Sequence, residues 1–227
     1  MDKKQTTKNN SNSLYIAILI AIIAILITTL IFRRLRRKLK IILLTGLSDA
    51  GKTAIFTKLV FNKPKKSVTS LKENEANLNE FNLKLLDLPG AERLRSRFWE
   101  QYRSTAQRII FVIDSTNVNS KLRDLSEYLY SLLSDEILYR NKVKFTIACN
   151  KQDLDGADKR DKIREVLQME LNAIRATKTG QLGKISDEEE TDYLIRQDVK
   201  EITFDMLDVD FIETSMHNLD QLVKLML

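Results

Sequence analysis

The stretch Gly46–Thr53 reads GLSDAGKT and matches the pattern G-x-x-x-x-G-K-[ST] at every fixed position. Residues 40–45 (KIILLT) precede it and have the composition of a buried parallel strand, while residues 52–62 have the pattern of a helix. A phosphate-binding loop, or P-loop, requires this setting between a strand and a helix. Its glycines let successive backbone N–H groups close around phosphate oxygens at the helix N-terminus. The stretch therefore predicts an α/β domain that binds a nucleotide.

Every residue of this loop is a candidate phosphate ligand. Lys52 is long enough to reach the β- and γ-phosphates, and the Thr53 hydroxyl can ligate Mg²⁺. The other six candidates are predicted to bind phosphate through the loop backbone: Gly46, Leu47, Ser48, Asp49, Ala50 and Gly51. A tight turn with a chance Lys-Thr pair is the alternative interpretation, and the motifs that follow along the chain argue against it.

A second motif, DLPG at Asp87–Gly90, ends the hydrophobic strand that begins near residue 82. A carboxylate at this place can hold the Mg²⁺ shell, and we expect Asp87 to do so through a water molecule. The N–H of Gly90 can approach a γ-phosphate. The pattern D-x-x-G alone is weak because a simple turn has it too, but its position downstream of a P-loop favours the functional interpretation.

A third motif, NKQD at Asn150–Asp153, follows directly after the apolar residues 142–149 (KVKFTIAC). Asp153 can accept hydrogen bonds from N1–H and the 2-amino group of guanine. Adenine lacks both donors and would leave the carboxylate desolvated and unpaired, which generates selectivity. Asn150 can contact another edge of the base, and the stem of Lys151 can lie over the ring. The motif predicts that the base is guanine.

The segment ETSM contributes a last contact to the predicted base site. It ends the apolar residues 209–213 (VDFIE) and continues through Thr214, Ser215 and Met216. Backbone N–H groups in this position can reach guanine O6, so we include Ser215 and Met216 among the guanine ligands.

Strand and helix patterns alternate through the body of the chain. The predicted strands are residues 40–45, 74–78, 82–86, 108–114, 142–149 and 209–213, and the predicted helices are residues 52–62, 92–106, 121–139, 158–177 and 219–227. This alternation predicts a mostly parallel six-stranded sheet with helices on both faces. Polar residues 63–71 and 178–192 are predicted to form loops, the second as an insertion.

The N-terminal part predicts a membrane anchor. Residues 14–32 contain no charge, and a helix of this length spans roughly 28 Å, close to the thickness of a hydrocarbon core. A cleaved signal peptide is the alternative, but its apolar run is usually shorter and RRLRRKLK follows where a cleavage site would lie. The positive-inside rule places the basic residues 33–39 and the domain at 40–227 in the cytosol, with residues 1–13 on the other side.

Charge and cysteine content exclude other classes. Formal net charge is +6, yet residues 1–40 alone carry nine Lys or Arg and one acid, which leaves the rest of the chain slightly acidic. A nucleic-acid-binding domain usually has a basic surface of its own, so we expect no direct nucleic-acid partner. The single cysteine, Cys149, excludes an intramolecular disulfide and is predicted to be a packed thiol.

In order, GLSDAGKT, DLPG, NKQD and ETSM resemble the motifs of Ras-like small GTPases over nearly all of residues 40–227. The loop GL-x-D-x-GKT, SVT, ACNKQD and a single N-terminal anchor are similar to the signal recognition particle receptor β-subunit family. The resemblance implies a P-loop G domain that binds GTP or GDP with Mg²⁺ on the cytosolic face of the endoplasmic reticulum. It also implies that the GTP form binds the receptor α subunit. Thr69 would be the switch I threonine, which ligates Mg²⁺ and senses the γ-phosphate.

Two positions depart from the pattern that this resemblance implies. Ala91 follows DLPG where many small GTPases have the Gln that orients the attacking water, so we expect very slow unaided hydrolysis and name no catalytic residue. Ser215-Met216-His217 stands where the family usually has S-A-K, which leaves the backbone contact to guanine possible. His217, the only histidine, is interpreted as a loop residue.

Three rival functions remain open on the sequence. An Arf- or Sar-like trafficking GTPase would usually attach through an N-terminal amphipathic helix, with or without a lipid, and Asp2 stands where N-myristoylation needs Gly. A P-loop kinase or ATPase would not need NKQD. A scaffold without nucleotide binding would not need Lys52 and Asp87. Aromatic residues of the helix after DLPG suit either core packing or a partner surface: Phe98, Trp99 and Tyr102.

Overall fold

The computed structural model describes residues 15–30, 39–62, 72–78, 82–182 and 192–226. The chain divides between Leu39 and Lys40 into two units. In the first unit, residues 15–30 form helix α1, and every side chain in it is exposed. Within the described ranges, no helix combines the length and apolarity needed to cross a membrane. The ends of the predicted span at 14–32, the segment 1–13 and all but the last residue of 33–39 lie outside the described residues.

The second unit is built on one sheet that, in the part described, has six strands. They are β1 (Lys40–Thr45), β2 (Asn74–Leu78), β3 (Leu83–Asp87), β4 (Arg108–Asp114), β5 (Lys144–Asn150) and β6 (Val209–Glu213). Their order is β2-β3-β1-β4-β5-β6, and β2 is antiparallel to β3 while all other neighbours are parallel. The predicted mostly parallel six-stranded sheet is confirmed.

Helices cover both faces of this sheet because its central strands are apolar on both sides. The helices are α2 (Lys52–Phe61), α3 (Glu92–Tyr102), α4 (Leu122–Leu133), α5 (Glu136–Arg140), α6 (Arg160–Leu182) and α7 (Asp220–Met226). Successive side chains of a strand point to opposite faces. Accordingly, Leu43 joins a core cluster with residues of α3, α4 and α6, whereas Ile42 and Leu44 join a second cluster with residues of α2 and α7. The structure confirms helices on both faces.

Three predicted element boundaries were wrong. The predicted helix 121–139 is two helices, because the Asp135 side chain accepts a hydrogen bond from the Ile137 N–H at 2.9 Å and caps a new helix, α5. The predicted helix 92–106 ends at Tyr102, whose carbonyl accepts the N–H groups of two later residues in a turn. The predicted helix 158–177 is too short, since α6 runs to Leu182 and so includes the first residues of the polar segment predicted near 178–192. Residues 183–191 of the insertion lie outside the described residues.

Aromatic residues of α3 pack inward. Phe98 and Trp99 are 5% and 9% exposed and belong to the larger core cluster, so core packing is the correct interpretation for both. Tyr102 is half-buried, and its hydroxyl donates a hydrogen bond to Glu73 Oε1 at 3.0 Å. Cys149 is fully buried in β5, as the sequence predicted.

Candidate nucleotide-binding site

The predicted P-loop joins β1 to α2, and two of its positions admit only glycine. Gly51 has a φ of 94°, and a Cβ there would lie 2.3 Å from Asn150 Nδ2. A Cβ at Gly46, whose φ is 133°, would lie 2.3 Å from the Val112 carbonyl oxygen. The loop is therefore packed against the ends of β4 and β5, and a side chain at either position would push it away from them.

Lys52 is buried at the start of α2 and points back over the loop. Its side chain donates a hydrogen bond from Nζ to the Leu47 carbonyl oxygen at 2.8 Å. Burial lowers the pKa of Lys52 to about 8, and the negative charge of Asp87 offsets part of this shift. Burial removes water from the Lys52 ammonium group, and phosphate oxygens bound beside it would replace this lost solvation.

The predicted magnesium ligands Thr53 and Asp87 are in direct contact. Thr53 Oγ1 donates to Asp87 Oδ2 at 2.7 Å, and Asn74 Nδ2 donates to the same oxygen at 2.9 Å. The other oxygen, Oδ1, is buried and has no hydrogen-bond partner among the described residues. Burial raises the pKa of Asp87 above its ordinary value. A buried carboxylate oxygen without a donor, beside a threonine hydroxyl, fits the hydrated shell of Mg²⁺.

The predicted metal site has few protein ligands in the part of the chain that the structure describes. Within the described ranges, no three His, Cys, Asp or Glu residues are grouped to hold a metal ion, so a cation here would share its shell with phosphates and water. Asn74 was not identified from the sequence because it opens a weak strand and belongs to no motif. Thr69, the predicted switch I ligand, lies outside the described residues.

Gly90 of the DLPG motif lies directly on the P-loop. A Cβ there would come within 2.6 Å of Ser48 N and 2.7 Å of Lys52 Nζ. The loop reaches this place because Leu88 N–H donates to the Leu44 carbonyl at 2.9 Å and so continues the pairing of β3 with β1. The structure therefore brings Gly90, whose N–H is predicted to approach the γ-phosphate, against the groups predicted to hold the phosphates.

Asn150 joins the predicted base site to the P-loop. Its Nδ2 donates to the Ala50 carbonyl at 2.9 Å, and its Oδ1 accepts from Thr214 Oγ1 at 3.3 Å. Lys151 Nζ forms an ion pair with Asp114 Oδ2 at 2.7 Å. Asp114 was also missed from the sequence, where it is an ordinary acid at the end of a strand.

The NKQD and ETSM segments are adjacent. Gln152 N–H donates to the Thr214 carbonyl at 3.2 Å. Ser215 is buried, and its Oγ accepts from the N–H groups of His217 and Asn218, which fixes the turn that contains half-buried Met216. The Asp153 side chain is 29% exposed and lies 3.8 Å from Nε2 of the exposed His217. His217 is a loop residue, as the sequence predicted.

The predicted site residues that the structure describes thus converge at the carboxyl end of the parallel strands, where open α/β sheets bind ligands. Contacts continue from Asp87 through Thr53 and the P-loop to Asn150, and from there to the turn beside Asp153. One elongated ligand with a phosphate end and a base end fits along this line. The individual ligand contacts stay predictions.

Fold and site together define a small GTPase G domain. The profile described as signal recognition particle receptor beta subunit matches residues 37–211. The chain belongs to this family.

Individual relatives agree with this assignment. The signal recognition particle receptor subunit beta of Homo sapiens is 33% identical over 210 residues, which cover 88% of this chain and 78% of that protein. The mammalian SRP receptor structure matches at 32% identity and a TM-score of 0.71, covering 82% of this chain and 97% of that one. The SRb-GTP/SRX complex from Chaetomium thermophilum matches at 22% identity and a TM-score of 0.57, covering 78% and 90%, and supports the fold alone.

Proposed function

We propose that this protein is a membrane-anchored guanine-nucleotide switch that binds GTP or GDP together with Mg²⁺. The observation that carries the proposal is the hydrogen bond from Asn150 Nδ2 to the Ala50 carbonyl. It fixes the base-reading loop to the phosphate-binding loop, so that both can hold a single nucleotide. Membership of the signal recognition particle receptor beta subunit family supports the same conclusion.

Each part of the site has a defined task. The phosphates are bound by Gly46–Thr53 and by Gly90. The guanine is bound by Asn150, Lys151, Asp153, Ser215 and Met216. Mg²⁺ would be held by Thr53 and Thr69 and, through water, by Asp87, and the cation would neutralise the phosphate charge. Gly90 and Thr69 belong to the segments that the γ-phosphate would order, so they help to distinguish GTP from GDP.

Hydrolysis without a partner is expected to be very slow. Ala91, directly after DLPG, opens α3 as its N-cap and offers a methyl group where water would need a hydrogen-bond partner. Ras-type proteins approach about 1 s⁻¹ only with an added arginine finger. A turnover near that rate by the protein alone would contradict this part of the proposal.

The proposed partner is the α subunit of the signal recognition particle receptor, bound when GTP is loaded. Membership of the signal recognition particle receptor beta subunit family supports this partner, and the SRb-GTP/SRX complex from Chaetomium thermophilum is a GTP-bound assembly of a protein with the same fold. We further propose that residues 14–32 span the endoplasmic reticulum membrane once, with the G domain in the cytosol. Support for the span comes from its uncharged sequence and from the basic residues that follow it.

Base recognition can be tested with the full-length chain in detergent micelles. Labelled GTP is displaced with unlabelled GTP, ATP and XTP, and the same series is repeated for Asp153→Asn. Two hydrogen bonds to a carboxylate, at roughly 1.5–3 kcal/mol each, predict at least a 100-fold preference for GTP over ATP. In the variant, we expect this preference to fall and XTP to bind better, because an amide can donate to the 2-oxo group of xanthine.

Asp155→Asn is the matched control, since it removes the same charge from an exposed residue two positions further along. It should bind like the unmodified chain. An unchanged base preference in Asp153→Asn would refute the assignment of the base site. The partner is tested separately, by capturing the receptor α subunit on the chain loaded with a non-hydrolysable GTP analogue or with GDP. Equal capture with both nucleotides would refute a GTP-dependent interaction.

A further inference from the structure

Arg95, in the first turns of α3, lies outside the DLPG motif but contacts its last residue, Gly90, which is predicted to approach the γ-phosphate. Its Nε donates a hydrogen bond to the Gly90 carbonyl oxygen at 2.9 Å. The guanidinium carbon lies 4.7 Å from the centroid of the Tyr128 ring, a geometry for a cation–π interaction. Arg95 is half-buried, while its neighbour Arg93 is exposed on the same helix. The two arginines therefore have different environments despite their proximity in sequence.

Tyr128 extends this contact to the P-loop. The ring is 8% exposed, and its hydroxyl shares a hydrogen bond with Thr45 Oγ1 at 2.5 Å. Thr45 is the last residue of β1 and directly precedes Gly46. Burial raises the pKa of the Tyr128 hydroxyl, so it stays protonated and available for this bond. The chain of contacts Arg95–Tyr128–Thr45 thus connects the DLPG loop with the strand that carries the P-loop.

The contact matters because it restrains a glycine. Glycine has the largest backbone freedom of any residue, and fixing one residue costs about 1–2 kcal/mol in conformational entropy. A Gly90 that is already held by its carbonyl loses less of this freedom when its N–H binds a phosphate. The positive charge of Arg95 also reaches the site, since it adds to the effect of burial in lowering the pKa of Lys52.

We propose that Arg95 is a positioning residue that holds Gly90 ready for the γ-phosphate and thereby sets the preference of the protein for GTP over GDP. The proposal rests on the proposed function, because it requires that both nucleotides bind. It extends that function by assigning the discrimination to a residue outside the P-loop, DLPG and NKQD motifs, and to the buried tyrosine that supports it.

The test measures dissociation constants for GDP and for a non-hydrolysable GTP analogue, with the full-length chain in detergent micelles. For Arg95→Gln, we expect the affinity for the analogue to fall about tenfold, which is the effect of losing one hydrogen bond of average strength. The affinity for GDP should stay within about twofold of the unmodified value. Arg95→Lys keeps the charge but lacks the planar group that stacks on the ring, so a loss of about threefold is expected. Arg93→Gln removes the same charge from the exposed neighbour and should leave both constants unchanged.

Three outcomes separate this inference from the proposed function. Failure of the unmodified chain to bind either nucleotide would refute the proposed function itself. A normal ratio of the two affinities in Arg95→Gln, or an equal loss for GDP and the analogue, would overturn the role of Arg95 while leaving nucleotide binding in place. If Arg95→Gln does not fold, Arg95→Lys is measured in its place, because it lacks the Nε–H that donates to Gly90 and the planar group that stacks on Tyr128. A selective loss of analogue affinity there supports the proposal, and an unchanged ratio overturns it.

Discussion

Replacing Gly90 by alanine should separate GTP binding from GDP binding. The new methyl carbon would lie 2.6 Å from Ser48 N and 2.7 Å from both the Leu47 carbonyl carbon and Lys52 Nζ. Ordinary contact begins near 3.4 Å, so the DLPG loop has to withdraw by about 0.8 Å. Gly90 has no positive φ, and alanine therefore adds a steric conflict without backbone strain. Two of the three opposing atoms are backbone, which leaves the loop as the part that moves.

The expected magnitudes follow from this displacement. Overpacking costs about 1–3 kcal/mol of the free energy of unfolding, which lowers the melting temperature by a few degrees for a chain of this size. A hydrogen bond from the Gly90 N–H to a charged phosphate is worth roughly 1.5–3 kcal/mol. Its loss should weaken binding of a GTP analogue by about 10- to 150-fold. GDP has no γ-phosphate, so its affinity should change little.

The assay is a calorimetric titration of Gly90→Ala with GDP and with the GTP analogue, beside a thermal melt of each protein. Gly180→Ala is the matched control, because Gly180 is an exposed residue near the end of helix α6 and its Cβ would meet nothing within 4 Å. The control should bind both nucleotides normally and melt slightly higher, since alanine favours a helix over glycine by about 0.5–1 kcal/mol. A folded Gly90→Ala protein with an unchanged ratio of the two affinities would refute the assignment of Gly90.

Three further predictions concern Lys52 in the P-loop, the buried thiol of Cys149 and the far end of helix α3. The pKa of Lys52 is about 8 when folded and roughly 10.4 when unfolded, so its contribution to the stability of the nucleotide-free protein rises with pH between these values. Bound phosphates should raise the pKa of Lys52, so GTP binding at pH 8.5 should be accompanied by proton uptake. Calorimetric titrations in two buffers of different ionisation enthalpy measure this uptake, and a value of zero would contradict the prediction. Burial raises the pKa of Cys149 to about 12, so the native thiol should resist iodoacetamide at pH 8 and react only after unfolding. Mass spectrometry measures this labelling, and rapid labelling of the native protein would argue against the buried position. Trp99→Phe removes the hydrogen bond from Nε1 to Asp135 Oδ2 at 2.9 Å and should lower the free energy of unfolding by about 2 kcal/mol, measured by thermal melting. An unchanged melting temperature would contradict this last prediction.

The parts of the fold that the sequence predicts well are those encoded locally. The P-loop lies between a strand and a helix because an apolar run, two glycines and a helical pattern follow one another within residues 40–61. The convergence of DLPG, NKQD and ETSM is predictable as well, since each ends a strand of a parallel sheet and such ends share one edge.

The contacts that hold the site residues in place join distant parts of the sequence, so local patterns could not predict them. Asn74 and Asp87 are 13 residues apart, Lys151 and Asp114 are 37 apart, and Thr45 and Tyr128 are 83 apart. No periodicity or motif links such pairs, because they depend on how separate strands and helices meet in the folded core. The break between α4 and α5 combines a local cap with such distant contacts. Asp135 caps α5 while its Oδ2 also accepts hydrogen bonds from Trp99 and Arg103 of the distant α3 region.

These bonds to Asp135 have a mechanical consequence for helix α3. The carboxylate, with only 9% of its side chain exposed, secures Trp99 and Arg103 at the far end of the helix, whereas the near end begins at the DLPG loop. A helix of 11 residues is about 16 Å long, so its two ends can move by different amounts when only one of them is held by Asp135. We expect any movement of α3 that accompanies nucleotide exchange to be smallest near Asp135 and to follow the DLPG loop at the first turns, which Arg95 links to the Gly90 carbonyl. We therefore expect a partner that distinguishes GTP from GDP to contact the first turns of α3.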